Sequence, residues 1–340
     1  MNILIIGLGS IGQRHLRNLK LIEPKAKFFA LRKKFTTPLL NSVNKAIKGK
    51  IKEKYSLKYI SSLIQINKNK IKIDCAFICT PSSHHISQVI WLLKNNINCF
   101  VEKPLGSSSH QLKQLEILLK RKNKLITMMG FQLRFNPILH YLEKIIKKKS
   151  PIGKIFGAHI HHGEHIQDFH TYEDYKISYA ANQKLGGGVI LSQIHEIDYL
   201  LYLFEDYHIK RISSTCSKVS DLHLDVEDIF SANFLLKKDK SKVLCSLNMN
   251  FLERPKKRKF YLIGEKGTIN TCFNSNKIHI YKNNKKIVKT FKFSKNEIFI
   301  KELKFFISKV KSKKKISNNL NLSNGVKTLR FALKLKKNFI

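Results

Sequence analysis

Short apolar runs alternate with amphipathic stretches over the first 130 residues of the 340-residue chain. Residues 2–6 (NILII) are continuously apolar, and residues 10–21 behind them carry apolar side chains at helical spacing. Strands that helices cover on both faces have such unbroken runs. Further runs lie at 27–31, 73–79, 97–101 and 125–129, with helical stretches at 83–94 and 107–122. The alternation predicts an α/β fold whose N-terminal part is a doubly wound parallel sheet, the Rossmann fold.

The pattern changes after Ser150-Pro151-Ile152-Gly153, where strand-like segments follow one another without helices between them. They lie at 154–162, 209–219, 229–236, 243–250, 259–263, 268–273 and 278–281, and helices are expected at 189–204 and 296–311. Such a series predicts a C-terminal α+β domain with a large open, mainly antiparallel sheet. We expect a dinucleotide-binding domain at 1–130 and a substrate-binding domain at 131–340, whose final helices could pack back on the first domain.

The chain is strongly basic, with 64 Lys and Arg against 23 Asp and Glu and a formal net charge of +41. That excess suggests a polyanion partner, but only nine of the cations are arginine, the residue that base and phosphate recognition favours, and the charge is spread from end to end. We predict no nucleic-acid partner and keep a polyanion-binding basic protein as an alternative. The absence of a long uncharged apolar run predicts no membrane partner, and six cysteines without a C-x-x-C pair suit a reducing cytoplasm.

A glycine turn follows the first predicted strand: Gly7-Leu8-Gly9-Ser10-Ile11-Gly12. In such a turn the first glycine permits the bend, the second lets the backbone approach a pyrophosphate, and the third lets helix and strand pack closely. The free N–H groups of the next helix, including those of Ser10 and Ile11, then meet the anion. The turn predicts binding of NAD or NADP.

The end of the second predicted strand bears on the choice between the two cofactors. NAD-selective sites place Asp or Glu there, whereas this chain has Arg32-Lys33-Lys34. Cationic side chains such as Arg32 and Lys33 suit a 2'-phosphate, so we predict a preference for NADP.

Five blocks of sequence resemble the glucose-fructose oxidoreductase and inositol dehydrogenase (Gfo/Idh/MocA) family. They are residues 7–19, residues 74–85, Glu102-Lys103-Pro104, Arg134-Phe135-Asn136-Pro137, and Gly186-Gly187-Gly188 with His195-Glu196-Ile197-Asp198. The resemblance implies a cofactor contact for the second block, namely Thr80, Pro81 and His84. It also implies that Glu102 and Lys103 line the cofactor site, with Lys103 at the reacting carbon.

Chemistry gives separate reasons to consider Lys103 and His195. Oxidation of an alcohol removes a proton from oxygen as hydride leaves carbon, so a base and a cation that stabilises the alkoxide are both useful. Lys103 follows a buried strand at the edge where such folds bind ligands and can be the cation, although it could be one more surface lysine. His195 titrates near neutral pH and, by the resemblance, is the base.

The segment around His195 departs from the family in one respect. Many members carry an aspartate one helical turn before the histidine, whereas this chain has Leu191 and Ser192 there. Ser192, Gln193 or Asp198 could orient the imidazole instead, and Asp198 could equally be structural.

Other polar residues have two interpretations each. Arg134 could bind an anionic substrate group or form a structural salt bridge. Tyr175, like Asp174 and Tyr179, resembles a substrate-side loop or is ordinary loop packing. The histidine-rich segment at 159–170 suggests a metal site, but no ligand spacing defines a geometry, and we predict no metal.

Together these observations predict hydride transfer between NAD(P) and a carbohydrate-type alcohol or ketone. The substrate would be a sugar, a cyclic polyol or a nucleotide sugar, with surface-glycan biosynthesis as one setting. Net glycoside cleavage or epimerisation through a transiently used cofactor, and a non-catalytic NAD(P)-binding sensor, are alternatives. A bare open sheet would expose apolar area, so we also expect a homo-oligomer, a dimer or tetramer.

Overall fold

The computed structural model describes residues 1–32, 37–148, 150–317 and 319–337. The first half forms a six-stranded, wholly parallel sheet in the order β5-β2-β1-β6-β7-β8. Its strands and a separate two-stranded ribbon are β1 (Asn2–Ile6), β2 (Lys27–Leu31), β3 (Leu39–Leu40), β4 (Ala46–Ile47), β5 (Lys58–Ile60), β6 (Cys75–Ile78), β7 (Asn98–Glu102) and β8 (Thr127–Gly130). The predicted doubly wound sheet is confirmed.

Helices connect these parallel strands and cover the sheet. They are α1 (Ser10–Ile22), α2 (Ile51–Lys54), α3 (Leu63–Lys68), α4 (His85–Lys94) and α5 (Leu112–Arg121). The strand order reverses between β1 and β6, and ligands of open α/β sheets bind at the carboxyl ends of the strands beside such a reversal. The glycine turn, the loop after β6 and the loop that begins with Lys103 therefore lie along one edge.

The second half forms an eight-stranded sheet in the order β10-β11-β12-β9-β13-β14-β15-β16. Its strands are β9 (Ile155–Gly163), β10 (His208–Ser217), β11 (Ile229–Lys238), β12 (Ser241–Asn250), β13 (Lys257–Gly264), β14 (Gly267–Cys272), β15 (Lys277–Lys282) and β16 (Lys285–Thr290). All neighbouring strands pair antiparallel except β9 and β12, which are parallel. The prediction of a large, mainly antiparallel sheet is confirmed.

The remaining helices are α6 (Pro137–Lys147), α7 (Val189–Ser192), α8 (His195–Leu203), α9 (Lys295–Ser312) and α10 (Leu322–Lys336). The single helix expected at 189–204 is wrong, because the chain leaves helical geometry at Gln193 and restarts at His195. β16 was not anticipated because its two apolar residues, Ile287 and Val288, are adjacent and do not alternate with polar ones. All its side chains are exposed, and it pairs with β15.

Helix α9 lies against the first sheet, although it comes late in the chain. Phe306 packs edge-on against Phe77 of β6, with ring centroids 5.3 Å apart. Asn296 and Asn18 of α1 exchange two side-chain hydrogen bonds of 3.0 Å. The boundary expected at residue 130 stays a prediction, since α9 follows the second sheet in sequence and packs on the first.

Two further properties concern the described part of the chain. No helix there is long and apolar enough to cross a membrane. All six cysteines are free, and all except the half-buried Cys272 are buried. Burial raises the pKa of Cys99 and Cys245 to about 12, so these thiols are protonated core side chains rather than nucleophiles.

Candidate active site

Two of the three glycines in the turn lie against other backbone atoms, whereas the third, Gly9, has space beside it. A Cβ on Gly7, whose φ is +95°, would lie 2.7 Å from the Cys79 carbonyl oxygen, and one on Gly12 would lie 2.1 Å from the Gly7 carbonyl oxygen. A Cβ on Gly9 would meet nothing within 4 Å. Gly9 directly precedes α1, whose first N–H groups, those of Ser10 and Ile11, have no intrahelical partner. The turn therefore offers space and donors for a pyrophosphate.

The loop after β2 is fastened to the glycine turn by a buried amide. Gln13 Nε2 donates to the Leu8 carbonyl at 3.2 Å and to the Pro38 carbonyl at 2.9 Å, while its Oε1 accepts the Leu40 N–H at 2.8 Å. Arg32, at the end of β2, donates from Nη2 to the Thr37 carbonyl at 2.7 Å. Lys33, the other residue predicted to select NADP, lies outside the described residues.

A buried histidine joins the loops that follow β6 and β7. His85 Nε2 lies 2.7 Å from the Thr80 carbonyl oxygen, and Nδ1 lies 2.7 Å from the Pro104 carbonyl oxygen. Its neighbour His84, for which the resemblance implies a cofactor contact, is exposed, and that contact stays a prediction. Residue type alone does not show which of these two adjacent histidines faces inward at the start of α4. Thr80 Oγ1 donates to Gln88 at 2.9 Å and, like Pro81, is half-buried.

Glu102 supports the edge of the sheet from within the core. Its Oε1 lies 2.6 Å from Nε2 of the fully buried His15 on α1, and its Oε2 accepts the Lys103 N–H at 3.2 Å. The carboxylate therefore ties the glycine-turn helix to the strand that carries Lys103.

Lys103, Ser192 and His195 are brought together. Lys103 Nζ donates to the Ser192 carbonyl at 2.7 Å, and its peptide bond to Pro104 is cis. Ser192 ends α7 and His195 begins α8. The Ser192 hydroxyl and both ring nitrogens of His195 are buried and have no hydrogen-bond partner among the described residues, so their hydrogen-bonding capacity is unused.

The surroundings of His195 favour the neutral imidazole. Burial lowers its pKa well below the usual value, and the nearby Lys103 and Arg258 cations act in the same direction, while Glu196 opposes them. A neutral imidazole is the form that can accept a proton.

Arg134 and Asp198 form a buried bidentate pair. Arg134 Nε and Nη2 donate to the two Asp198 oxygens at 2.7 and 2.8 Å, and the guanidinium lies over the Tyr202 ring at 3.8 Å. Asn324 of α10 donates to the same carboxylate at 3.5 Å. For Arg134 and Asp198 the geometry corresponds to the structural interpretation rather than to a contact with the substrate or the imidazole, because their charged groups bind one another.

A second ion network stands directly behind His195, and sequence analysis missed it. Arg258 Nε donates to Glu196 Oε1 at 2.7 Å, and His162 Nδ1 lies 3.2 Å from the same oxygen. Burial opposes ionisation, but Arg258 and His162 outweigh it and hold the pKa of Glu196 well below its usual range. The network fixes the first turn of α8. Arg258 comes 62 residues after Glu196, so no local pattern marked the pair.

The side chains of the histidine-rich segment bind different partners. His159 Nδ1 lies 2.7 Å from the Ser246 hydroxyl, His161 Nε2 lies 2.6 Å from Glu253, and Asp168 binds Arg254. Within the described ranges, no group of three or more His, Cys, Asp or Glu side chains could hold a metal ion. Tyr175, predicted to bind substrate, is half-buried, and its hydroxyl accepts the His223 N–H at 3.2 Å.

Comparison with known proteins gives consistent matches along the chain. The family model described as "Oxidoreductase family, NAD-binding Rossmann fold" matches residues 1–131, and the GFO/IDH/MocA C-terminal domain matches residues 141–270. A stretch of 200 residues is 28% identical to scyllo-inositol 2-dehydrogenase (NAD(+)) of Bacillus subtilis, covering 58% of this chain and 52% of that protein. The chain matches about a third to a half of the length of several curated relatives.

Two solved structures share the fold at low sequence identity. UDP-N-acetylglucosamine 3-dehydrogenase from Acidithiobacillus ferrooxidans is 15% identical with a TM-score of 0.74, covering 100% of this chain and 97% of that one. Levoglucosan dehydrogenase in complex with NADH and levoglucosan is 14% identical with a TM-score of 0.78, covering 99% and 96%. With the two family models spanning most of its length, the chain belongs to the Gfo/Idh/MocA oxidoreductase family.

Proposed function

We propose that the protein is an NAD(P)-dependent oxidoreductase that acts on a CH–OH group of a carbohydrate-type substrate. One observation carries the proposal: the Lys103 ammonium sits at the Ser192 carbonyl beside His195, whose buried ring nitrogens have no hydrogen-bond partner in the described part of the chain. The three residues lie at the sheet edge that also carries the glycine turn. A cation and a neutral base beside a turn that can bind a dinucleotide are what alcohol oxidation requires.

The cofactor would be held mainly by the first half of the chain. Gly7, Gly9 and Gly12 shape the turn, the first N–H groups of α1 bind the pyrophosphate, and Thr80 and Pro81 line the ribose and nicotinamide side. When bound, the nicotinamide supplies or accepts the hydride. Glu102 and His85 act indirectly, because their hydrogen bonds fix the loops that carry Lys103 and Thr80.

The substrate oxygen would lie between Lys103 and His195. Neutral His195 takes the hydroxyl proton during oxidation and returns it during reduction, while Lys103 stabilises the developing alkoxide. The Ser192 hydroxyl, which occupies the helical turn where relatives carry an aspartate, is free to hydrogen-bond the substrate or the imidazole. Because serine carries no charge, His195 here relies on Glu196 alone as its nearby carboxylate.

Cofactor choice rests on Arg32, which lies where a ribose 2'-phosphate would sit. We infer a preference for NADP over NAD. Arg32→Ala should lower kcat/KM with NADPH about tenfold and leave the value with NADH within about twofold, because one charged hydrogen bond contributes roughly 1.5 kcal/mol. A higher kcat/KM with NADH than with NADPH in the unaltered protein would refute the preference.

The substrate class is inferred from relatives. Enzymes named for inositol, levoglucosan and UDP-N-acetylglucosamine all act on rings rich in hydroxyl groups. We propose a sugar, a cyclic polyol or a nucleotide sugar. Oxidation of such compounds, followed as NADPH or NADH formation at 340 nm, tests this; turnover of none of the three classes in either direction would contradict it.

Lys103 provides the matching test of mechanism. Lys103→Ala should reduce kcat at least about a hundredfold, because the alkoxide loses its cation. Lys122, whose exposed Nζ donates to Asn96, gives a surface control that should retain full activity as Lys122→Ala. A Lys103→Ala enzyme with near-normal kcat would exclude this role.

The outer face of the second sheet is proposed as a homo-oligomer interface. Phe156 of β9, Leu244 of β12 and Ile263 of β13 are 46%, 59% and 37% exposed on three adjacent strands. Exposed apolar groups on neighbouring strands favour association. Light scattering should show a dimer or tetramer that Leu244→Lys dissociates; a monomer of the unaltered protein at micromolar concentration would contradict the assembly.

A further inference from the structure

A segment of the second half crosses the cleft between the two sheets. We call residues 164–188 the crossing segment. It starts on the second sheet, where the Glu164 and Ile166 N–H groups donate to the Asn250 and Phe251 carbonyls at 3.2 and 3.0 Å. It ends against the first half, where Ser82 Oγ donates to the Leu185 and Gly186 carbonyls at 3.3 and 3.1 Å. Both ends are therefore anchored.

Between its anchors the crossing segment touches the glycine turn at Ser10. His170 Nε2 lies 3.4 Å from Ser10 Oγ. Burial raises the pKa of the Tyr172 hydroxyl, and the neighbouring side chain and backbone of Ser10 oppose that rise. The His170 ring packs on the Tyr172 and Tyr179 rings with centroids 5.5 and 6.0 Å apart, and its Nδ1 lies 3.0 Å from Glu173 Oε1. Two polar groups from the second half thus stand at the first residue of α1.

This position is the one that a dinucleotide needs. The Ser10 N–H belongs to the first turn of α1 and has no intrahelical partner, so it is among the donors that a pyrophosphate takes. The Tyr172 hydroxyl lies beside that backbone, where it can accept from the N–H. When a phosphate oxygen, a stronger acceptor, occupies the place, a small displacement lets the hydroxyl donate to the phosphate instead.

We propose that His170 and Tyr172 are dinucleotide-binding residues supplied by the second half of the chain, which close the crossing segment over the pyrophosphate. The proposal rests on the dinucleotide binding in the proposed function and adds ligands that the glycine turn does not provide. It has a structural consequence, because the crossing segment runs through Gly186–Gly188 into α7 and Ser192. A bound pyrophosphate would therefore help to fix the backbone that leads to His195.

Dissociation constants of the reduced dinucleotides test this proposal. Nicotinamide fluorescence would be titrated with NADPH and NADH on the unaltered protein, Tyr172→Phe and His170→Ala. Each variant should bind about tenfold more weakly, since each loses one hydrogen bond to a charged group. Ile177→Ala is the control on the same segment, because the Ile177 side chain is 73% exposed, and it should bind normally.

Binding of ADP-ribose and AMP distinguishes the loss of a pyrophosphate contact from a general loosening of the binding site. ADP-ribose retains the pyrophosphate and should show the same loss in Tyr172→Phe, whereas AMP lacks it and should bind both proteins equally. Unchanged or tighter dinucleotide binding in Tyr172→Phe would overturn the proposal; tighter binding would mean that the hydroxyl competes with the cofactor. Failure of the unaltered protein to bind either dinucleotide would refute the proposed function itself, which is a different result.

Discussion

The proposed cofactor side and the proposed catalytic side of the cleft are built in different ways. Backbone geometry builds the cofactor side: three glycines, the first turn of α1 and the ends of adjacent parallel strands meet because consecutive parts of the chain fold that way. Side chains far apart in sequence build the catalytic side, where Arg134 holds Asp198 and Arg258 holds Glu196 on α8. The first side therefore depends on local backbone geometry, whereas the second depends on contacts between residues that are distant in sequence.

The largest expected effect tests whether long-range ion pairs hold the catalytic side. Asp198→Ala leaves the Arg134 guanidinium buried without its carboxylate and should lower the free energy of unfolding by about 3–5 kcal/mol in urea denaturation. The exposed pair of Arg330 and Glu116 is the control, and Arg330→Ala should cost less than about 1 kcal/mol. If the free energy of unfolding fell by similar amounts in the two variants, the buried pair would contribute no more to stability than the exposed one.

The next effect tests the cofactor side through two glycines of one turn. Gly12→Ala places a Cβ against the Gly7 carbonyl and should lower the free energy of unfolding by about 1–3 kcal/mol. Gly9→Ala meets no protein atom, so stability should change by less than about 0.5 kcal/mol while NADPH binding weakens. If Gly9→Ala bound NADPH normally, the open space at Gly9 would not be the pyrophosphate position.

The smallest expected effect is a displacement of the pH profile. Because burial, Lys103 and Arg258 lower the pKa of His195, the ring stays neutral, and able to take a proton, at pH values where an ordinary imidazole is charged. The ordinary pKa of histidine is about 6.5. On the acid side, kcat/KM for alcohol oxidation should therefore begin to fall only below that pH. A limb above that value would mean that the cations do not act on His195.

The same difference in construction explains what could be predicted from the sequence. The parallel sheet, the glycine turn and the strand-end position of Lys103 are local features, and the structure has them. The sequence does not single out His85, because its inward orientation depends on the packing of α4, and the cofactor contact expected for His84 stays a prediction. The network of His162, Glu196 and Arg258 comes from three separate elements, so no local pattern marks it. The roles of Lys103 and His195 stay predictions.

His195 is proposed to perform proton transfer at a site whose cofactor half does not require the His195 side chain. The most direct test measures the NADPH dissociation constant and the single-turnover rate of hydride transfer on one His195→Ala preparation. We expect a dissociation constant within about twofold of the unaltered protein and a hydride-transfer rate at least about a hundredfold lower. A near-normal rate would contradict the claim, and so would a loss of NADPH binding large enough to account for the slower reaction.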